Sequence, residues 1–377
     1  MTAGQPHVNP FFLPGSGPYV LTHSVGCLPK VAREALEKGF TQPWENGGGA
    51  AWGPWLQQIE AFQSALTELL GGLPAEYCPQ TNISSGLTKI LSALPQAPGR
   101  KGTLLAAEET FPSVGFVLRQ AERSGYLLRL ISRERPPDDI RTWSEELTSD
   151  VRAVLVTHVH SNSGRVAPVA DIARLCAERD VLCIVDVAQS AGILPISVPA
   201  LGASVVLGSC VKWLCGGPGA GFMWIRNDLI ETLQPTDVGW FSHADPFEMD
   251  IHSFRYAHDA RRFWGGTPSI APFVIATASL RLIRELKVDA ILAHNRRLIQ
   301  AFTEELPHAW RARLPTWPIG GTLCIPLGAE LQPISAALSA AGVQFDTRGD
   351  VIRISFHACN SVEDAIHVAR AWCRAGT

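Results

Sequence analysis

Lysine is scarce in this chain. Six lysines stand against 26 arginines in 377 residues, and between Gly102 and Leu286 there is a single one, Lys212. Basic charge is not in excess either: the net charge is -3, which speaks against nucleic acid or an anionic membrane as partner. No apolar run approaches the length of a membrane span, and the first thirty residues lack the basic stretch and apolar segment of a secretory signal. The nine cysteines include no Cys-x-x-Cys pair, a pattern that suits reduced thiols in a cytoplasmic protein better than a disulfide framework or a zinc site. The eleven histidines supply no i,i+4 pair, so no metal site is expected. A Gly-x-Ser-x-Gly elbow is missing, which removes the usual serine-hydrolase reading. Internal repeats and low-complexity tracts are absent as well.

What remains is the composition of a globular protein, 46% apolar and 18% charged. Met1–Gly17 reads as an irregular arm and Tyr19–Gly26 as a short strand ending in a turn. Helices are expected from Pro29 to Phe40 and from Trp52 to Leu70, the latter with an aromatic and aliphatic stripe at helical spacing. Apolar runs and helical patterns then alternate. Strands are read at Thr103–Ala107, Tyr126–Ser132, Val151–Val159, Val181–Ala188, Ser204–Ser209 and Gly221–Ile225, and helices at Ile83–Leu94, Ser113–Ser124 and Val169–Arg179. Near-continuous Val/Ile/Leu strands between helices predict an α/β domain whose mostly parallel sheet is covered on both faces. After Thr267-Pro268 come two long helices, two strands (Thr322–Leu327, Val351–Phe356) and a last helix with a Ser361/Asp364 capping box. The organisation expected is a large α/β domain over 18–285 and a smaller α+β domain over 286–377, joined by the arm at 1–17.

Three strand ends, Asp186–Gln189, His158-Val-His160 and Ser209–Lys212, carry polar groups where a core pattern would not place them, and in such sheets ligands sit beyond the carboxyl ends of the strands. Lys212 lies in GSCVKWLCGGPG between Val211 and Trp213. Burial there would lower its pKa and give a nucleophilic amine suited to Schiff-base chemistry; snorkelling from a strand end is the plain alternative. Asp186 ends the run LCIV. A buried carboxylate needs a positive partner, which a protonated pyridine nitrogen would be, unless Asp186 merely caps a turn. Ser84-Ser85-Gly86 at a helix start can seat a phosphate or simply cap the helix. Phe111 can stack on a flat ring or pack in the core, and Arg353 in VIRISF can grip a carboxylate or face water from a sheet edge.

The order of these residues, with the stretches DVAQSAG (186–192), GSCVKWLCGGPGAGF (208–222), GWFSH (239–243), WGGTP (264–268) and IRISFHACNS (352–361), resembles the class V aminotransferase family of pyridoxal-phosphate (PLP) enzymes, and within it the kynureninases. The resemblance implies a fold-type-I PLP-dependent transferase: a large domain with a mostly parallel, seven-stranded type of sheet and a smaller C-terminal α+β domain. It implies that Lys212 carries the cofactor as a Schiff base, that Asp186 partners the pyridine nitrogen, and that Gln189 lies by the phenolic oxygen. Phe111 would stack on the ring. Ser84, Ser85 and Ser209 would hold the phosphate, with Thr267 from the neighbouring subunit of a homodimer. Arg353 would bind the α-carboxylate of a small amino-acid substrate, and Trp240 with the His23-Ser24 turn would line its pocket. Kynureninases place tyrosine where Val211 stands and aspartate where Val114 stands. The reaction expected is kynureninase-like side-chain cleavage, with class V transamination as the alternative and a PLP-binding homologue without activity as a third. A desulfurase is disfavoured, because Phe345–Asp350 carries no cysteine and Cys324 sits inside an expected strand.

Overall fold

The computed structural model of the chain describes residues 9–94 and 102–376. Seven strands form one sheet: β1 (Tyr77–Gln80), β2 (Thr103–Ala107), β3 (Leu127–Ile131), β4 (Val151–Thr157), β5 (Leu182–Asp186), β6 (Val205–Ser209) and β7 (Gly221–Ile225), in the order β1-β7-β6-β5-β4-β2-β3. β7 runs antiparallel to both its neighbours and all other pairs are parallel. Alternation along each strand divides the side chains between two cores. Val154, Val156, Cys183, Val185 and Val206 face a core shared with the helix Val169–Ala177. Ala153, Leu155, Ile184, Val205 and Leu207 face the other, under the helices Ile83–Ala93 and Pro112–Gln120. Burial on both sides is why these strands read as unbroken apolar runs.

A second, antiparallel sheet of β8 (Thr322–Pro326), β9 (Asp346–Arg348) and β10 (Val351–Ser355) has the order β8-β10-β9. Leu298, Phe302, Val368 and Trp372, from the helices Val288–Glu305 and Val362–Cys373, pack with Ile352 and Ile354 in a third core. The expected capping box forms: Asp364 N–H donates to Ser361 Oγ at 3.1 Å and Ser361 N–H to Asp364 Oδ2 at 3.0 Å. Helix Ala271–Leu286 packs in the first core and is separated from Val288–Glu305 by Lys287, whose φ of 64° breaks the helical path.

The stretch Tyr19–Gly26 is not a strand of either sheet. It makes two isolated bridges, Tyr19 with Gln344 and Leu21 with Ser355, and so lies on the small sheet. Of the irregular arm expected at Met1–Gly17, the first eight residues fall outside the described part. Asn9 Nδ2 donates to Cys359 O at 3.0 Å, which holds the remainder to the segment after β10. Two strands escaped the sequence reading. β1 contains Pro79 and Gln80 and pairs along one side only, the place where proline is tolerated. β9 is short and charged. No helix among the described residues is long and apolar enough to cross a membrane.

Candidate active site

The strand order reverses between β2 and β4: β2 is followed by β3 on one side, whereas β4, β5 and β6 follow one another on the other. A ligand crevice is expected at that switch point, beyond the carboxyl ends. A cavity of about 260 Å³ lies there. Phe111 enters it from the loop after β2, Thr157, Val159 and Ser161 from the end of β4, Asp186 and Gln189 from β5, and Ser209, Val211 and Lys212 from β6. The start of helix Ile83–Ala93 closes one side with Asn82 and Ser84.

Lys212 and Asp186 share this cavity, and neither has an ion-pair partner among the described residues. Burial lowers the Lys212 pKa to about 8; Asp186 pulls it back up, and Arg353 and Arg348 push it further down. Asp186 is 5% exposed, and burial raises its pKa, moderated by the Ala188 N–H and by Lys212. The Ala188 N–H donates to Asp186 Oδ1 at 2.8 Å, so the carboxylate does cap a turn as well as facing the cavity. An unpaired amine and an unpaired carboxylate in one enclosed space are costly. A bound group that is positive toward Asp186 and electrophilic toward Lys212 would relieve both, and a PLP ring fits that donor set.

The true cap of helix Ile83–Ala93 is Asn82, whose Oδ1 accepts from Ser85 N–H at 2.9 Å. The first-turn N–H groups of Ile83 and Ser84 have no intrahelical acceptor. Ser84 lines the cavity, whereas Ser85 does not, its hydroxyl accepting from Thr81 Oγ1 at 3.3 Å. Gln189 is held from two sides: its Nε2 donates to His23 O at 2.9 Å and its Oε1 accepts from Trp213 Nε1 at 3.1 Å. Phe111 shows its ring to two cations, Lys212 Nζ at 5.5 Å and the Arg348 guanidinium at 5.4 Å from its centroid.

Arg353 is not a water-facing edge residue; it is 4% exposed. Nor is its fork open. Nε donates to Asp346 Oδ1 at 2.8 Å, Nη2 to Asp346 Oδ2, and Nη1 to Ser161 O at 3.2 Å. His23 Nε2 meets the same Asp346 Oδ1 at 2.9 Å, and its Nδ1 lies 2.7 Å from Ser355 Oγ. His23 is thus buried behind the arginine corner and does not line the cavity, and Ser24 is also outside it. Burial and the neighbouring Arg353 hold His23 down, to a pKa of about 4, despite its bond to Asp346. Two expected residues lie elsewhere. Thr267 is exposed and lines no part of this cavity. Trp240 lines a separate surface cavity with Phe254 and Ile251, which shares no residue with that of Lys212.

Three residues that the sequence reading passed over belong to the site. Ser161 lines the cavity and binds both arginines, through its carbonyl to Arg353 and its hydroxyl to Arg348 at 2.7 Å. Asp346 and Arg348 come from β9. Their signal was the two residues Gly349-Asp350, a hairpin turn that sets Asp346 directly opposite Arg353.

The model of the aminotransferase class-V family matches residues 85–318. The chain belongs to that family. A kynureninase from Deinococcus radiodurans is 27% identical over 362 residues, covering 92% of this chain and 86% of its own. Among solved structures, the apo cysteine desulfurase of Thermococcus onnurineus NA1 superposes with a TM-score of 0.80 at 20% identity, over 93% of this chain and 92% of its own. The cystine C–S lyase C-DES, solved with its reaction product cysteine persulfide, gives 0.83 at 22% identity, over 94% and 97%. A mutant of that lyase carries glycine covalently linked to its PLP cofactor. The class V protein described here has the fold-type-I architecture, uses pyridoxal phosphate and is an enzyme.

Proposed function

We propose that this enzyme cleaves the side chain of an α-amino acid that carries a carbonyl at Cγ, as a kynureninase does. The observation that carries the reading is the identity to the Deinococcus kynureninase across 92% of the chain. Asp186 would hold the pyridine nitrogen protonated, Phe111 would cover the ring, and Gln189 would lie by the phenolic oxygen. Ser84 and Ser209, which line the cavity, would hold the phosphate, with Thr267, exposed on this chain, delivered by the second copy of a homodimer. When bound, PLP supplies the electron sink for charge that develops at Cα.

The chain's own residues set the rest. Lys212 Nζ, whose pKa burial lowers to about 8, takes the proton from Cα. The corner built by Ser161, Arg348 and Arg353 receives the substrate carboxylate. In the net reaction one water is consumed, the Cβ–Cγ bond breaks, the acyl part leaves as a carboxylic acid and the remainder leaves as alanine. Val211 and Val114 both line the cavity and bring no acid to it, and this favours transamination as the second reading. Desulfuration lacks its thiol: Cys324 lies buried in β8, and burial pushes it up to about 12. The free cysteines of the described residues suit a reducing, cytoplasmic setting.

The deciding experiment is incubation of the PLP-loaded protein with L-kynurenine, reading anthranilate fluorescence and alanine. Formation of both, abolished in Lys212→Ala, is the expected result. Absence of anthranilate together with amino transfer to a 2-oxo acid would replace this reading by the aminotransferase one.

A further inference from the structure

We infer that Trp213 is the positioning residue that turns the amide of Gln189, so that Gln189 offers the phenolic oxygen of the cofactor an N–H donor and not its carbonyl. The inference rests on the reading that places Gln189 by that oxygen, and deepens it. Pyridoxal carries its phenolic oxygen on the ring carbon next to the one that bears the aldehyde. A residue that meets this oxygen must therefore stand beside the amine that takes the aldehyde. Gln189 and Lys212 line the same cavity, and Trp213 follows Lys212 directly. An amide has two unlike ends, two hydrogens on Nε2 and two lone pairs on Oε1. Here two neighbours decide which end goes where. Trp213 Nε1, which can only donate, donates to Gln189 Oε1 at 3.1 Å, and Gln189 Nε2 donates at 2.9 Å to His23 O, which can only accept. Turning the amide over would set donor against donor and acceptor against acceptor in a buried place. One hydrogen of Nε2 is left without a protein partner. Oε1 also keeps a lone pair, but a phenolate oxygen repels it.

Both neighbours are anchored on the small sheet, although Gln189 itself follows β5 of the large one. The indole of Trp213 is fully buried with its edge against Gly321, just before β8: a Cβ built on Gly321 would stand 2.5 Å from Trp213 Cη2. Gly321 is pinned in turn, its carbonyl accepting from Asn295 Nδ2 at 2.9 Å. The His23 N–H donates to Ser355 Oγ of β10 at 3.1 Å. Packing alone would explain a large apolar ring at position 213. It does not explain an indole, whose one N–H would be a stranded buried donor without Gln189. A donor held at the phenolic oxygen competes for it with the protonated Schiff-base nitrogen of Lys212, and so eases the loss of that proton; an acceptor there would do the reverse.

The test reads the colour of the PLP-loaded enzyme against pH, not its turnover. The midpoint at which the visible band changes is measured in the wild type, Q189M, W213F and the double variant. Q189M removes the amide and should raise the midpoint by about one pH unit, the scale of one hydrogen bond to a charged oxygen. W213F keeps a ring and loses the N–H. It should reproduce most of that rise, and should add nothing further in the double variant, because it acts only through the amide. Asp186, Arg348 and Arg353, the charged groups that face Lys212, are the same in all four proteins, and burial holds His23 and His357 neutral, at pKa values of about 4. Thermal midpoints and band intensity show whether each variant is folded and loaded. A second measurement keeps the test open should W213F not fold: in indole ¹⁵N spectra, Q189M should move the N–H signal of the tryptophan that loses its acceptor. The inference is overturned if Q189M lowers the midpoint, if W213F leaves it in place or shifts it equally with and without Gln189, or if no indole signal moves in Q189M. An unchanged midpoint in Q189M with a moved indole signal refutes the placement of Gln189 by the phenolic oxygen, and the inference falls with it.

Discussion

Gly26 presses its backbone against the carbonyl of Lys212. Its N–H donates to Val211 O at 2.8 Å, and a Cβ built on it would stand 2.2 Å from Lys212 O. Only glycine lets the N-terminal turn and the lysine loop meet at that spacing. Gly26→Ala should therefore destabilise the protein by about 1–3 kcal/mol, the cost of forcing a methyl into a packed site. Denaturant midpoints measure this, and the variant should also hold PLP less firmly, because the seat of Lys212 moves with the turn.

Lys212 of the cofactor-free protein should titrate near pH 8. An amine-reactive label read at this residue by mass spectrometry should reach half its limiting rate there and not near 10.5. The folded value is depressed, so between these two pH values the unfolded chain binds more protons and stability rises with pH across that window. Lys212→Met should flatten that part of the profile. An unshifted labelling curve would contradict the burial argument.

Asp186→Asn should leave the fold intact, since the amide oxygen can still accept from Ala188 N–H. It removes the charge that would keep a ring nitrogen protonated. Turnover of the loaded enzyme should fall on the order of 10²-fold or more, the scale of losing one preorganised electrostatic group. Near-wild-type turnover in a variant that still binds PLP would show that Asp186 serves only as the turn cap.

Asp346 gives the acid limb its shape. Burial works against its charge, yet His23 and Arg353 bring its pKa down to about 2 from an ordinary 3.8. A depressed carboxyl contributes stability that is fully present above the ordinary value and is lost as pH falls through the folded one. Acid unfolding of the wild type should therefore steepen between those values. Asp346→Asn should show a shallower acid limb and lower stability at neutral pH, because it strands the buried Arg353 charge.

The large sheet was legible because its strands are buried on both faces, which writes runs such as VRAVLVT into the chain. The helix Trp52–Leu70 was legible from its stripe, and it begins and ends where the stripe does. Lys212 and Asp186 stood out by being charged where the pattern asks for apolar residues, and they do share a cavity. What local patterns do not carry is pairing across distance. Arg353 was visible, but not that Asp346 closes its fork. The resemblance puts His23 and Trp240 at the pocket, whereas one lies behind the arginines and the other beside a different cavity. The hairpin that pairs Asp346 with Arg353 was readable at Gly349-Asp350, and it was read only as a stretch without cysteine.

The amine and the arginine corner beside it come from different sheets, Lys212 from the end of β6, Arg348 from β9 and Arg353 from β10. A ribosome making the protein completes the whole large sheet, lysine included, well before it reaches the hairpin that holds Arg348. In order of synthesis Lys212 therefore precedes Asp346, Arg348 and Arg353 by more than a hundred positions, while His23, which meets the same Asp346, precedes all of them.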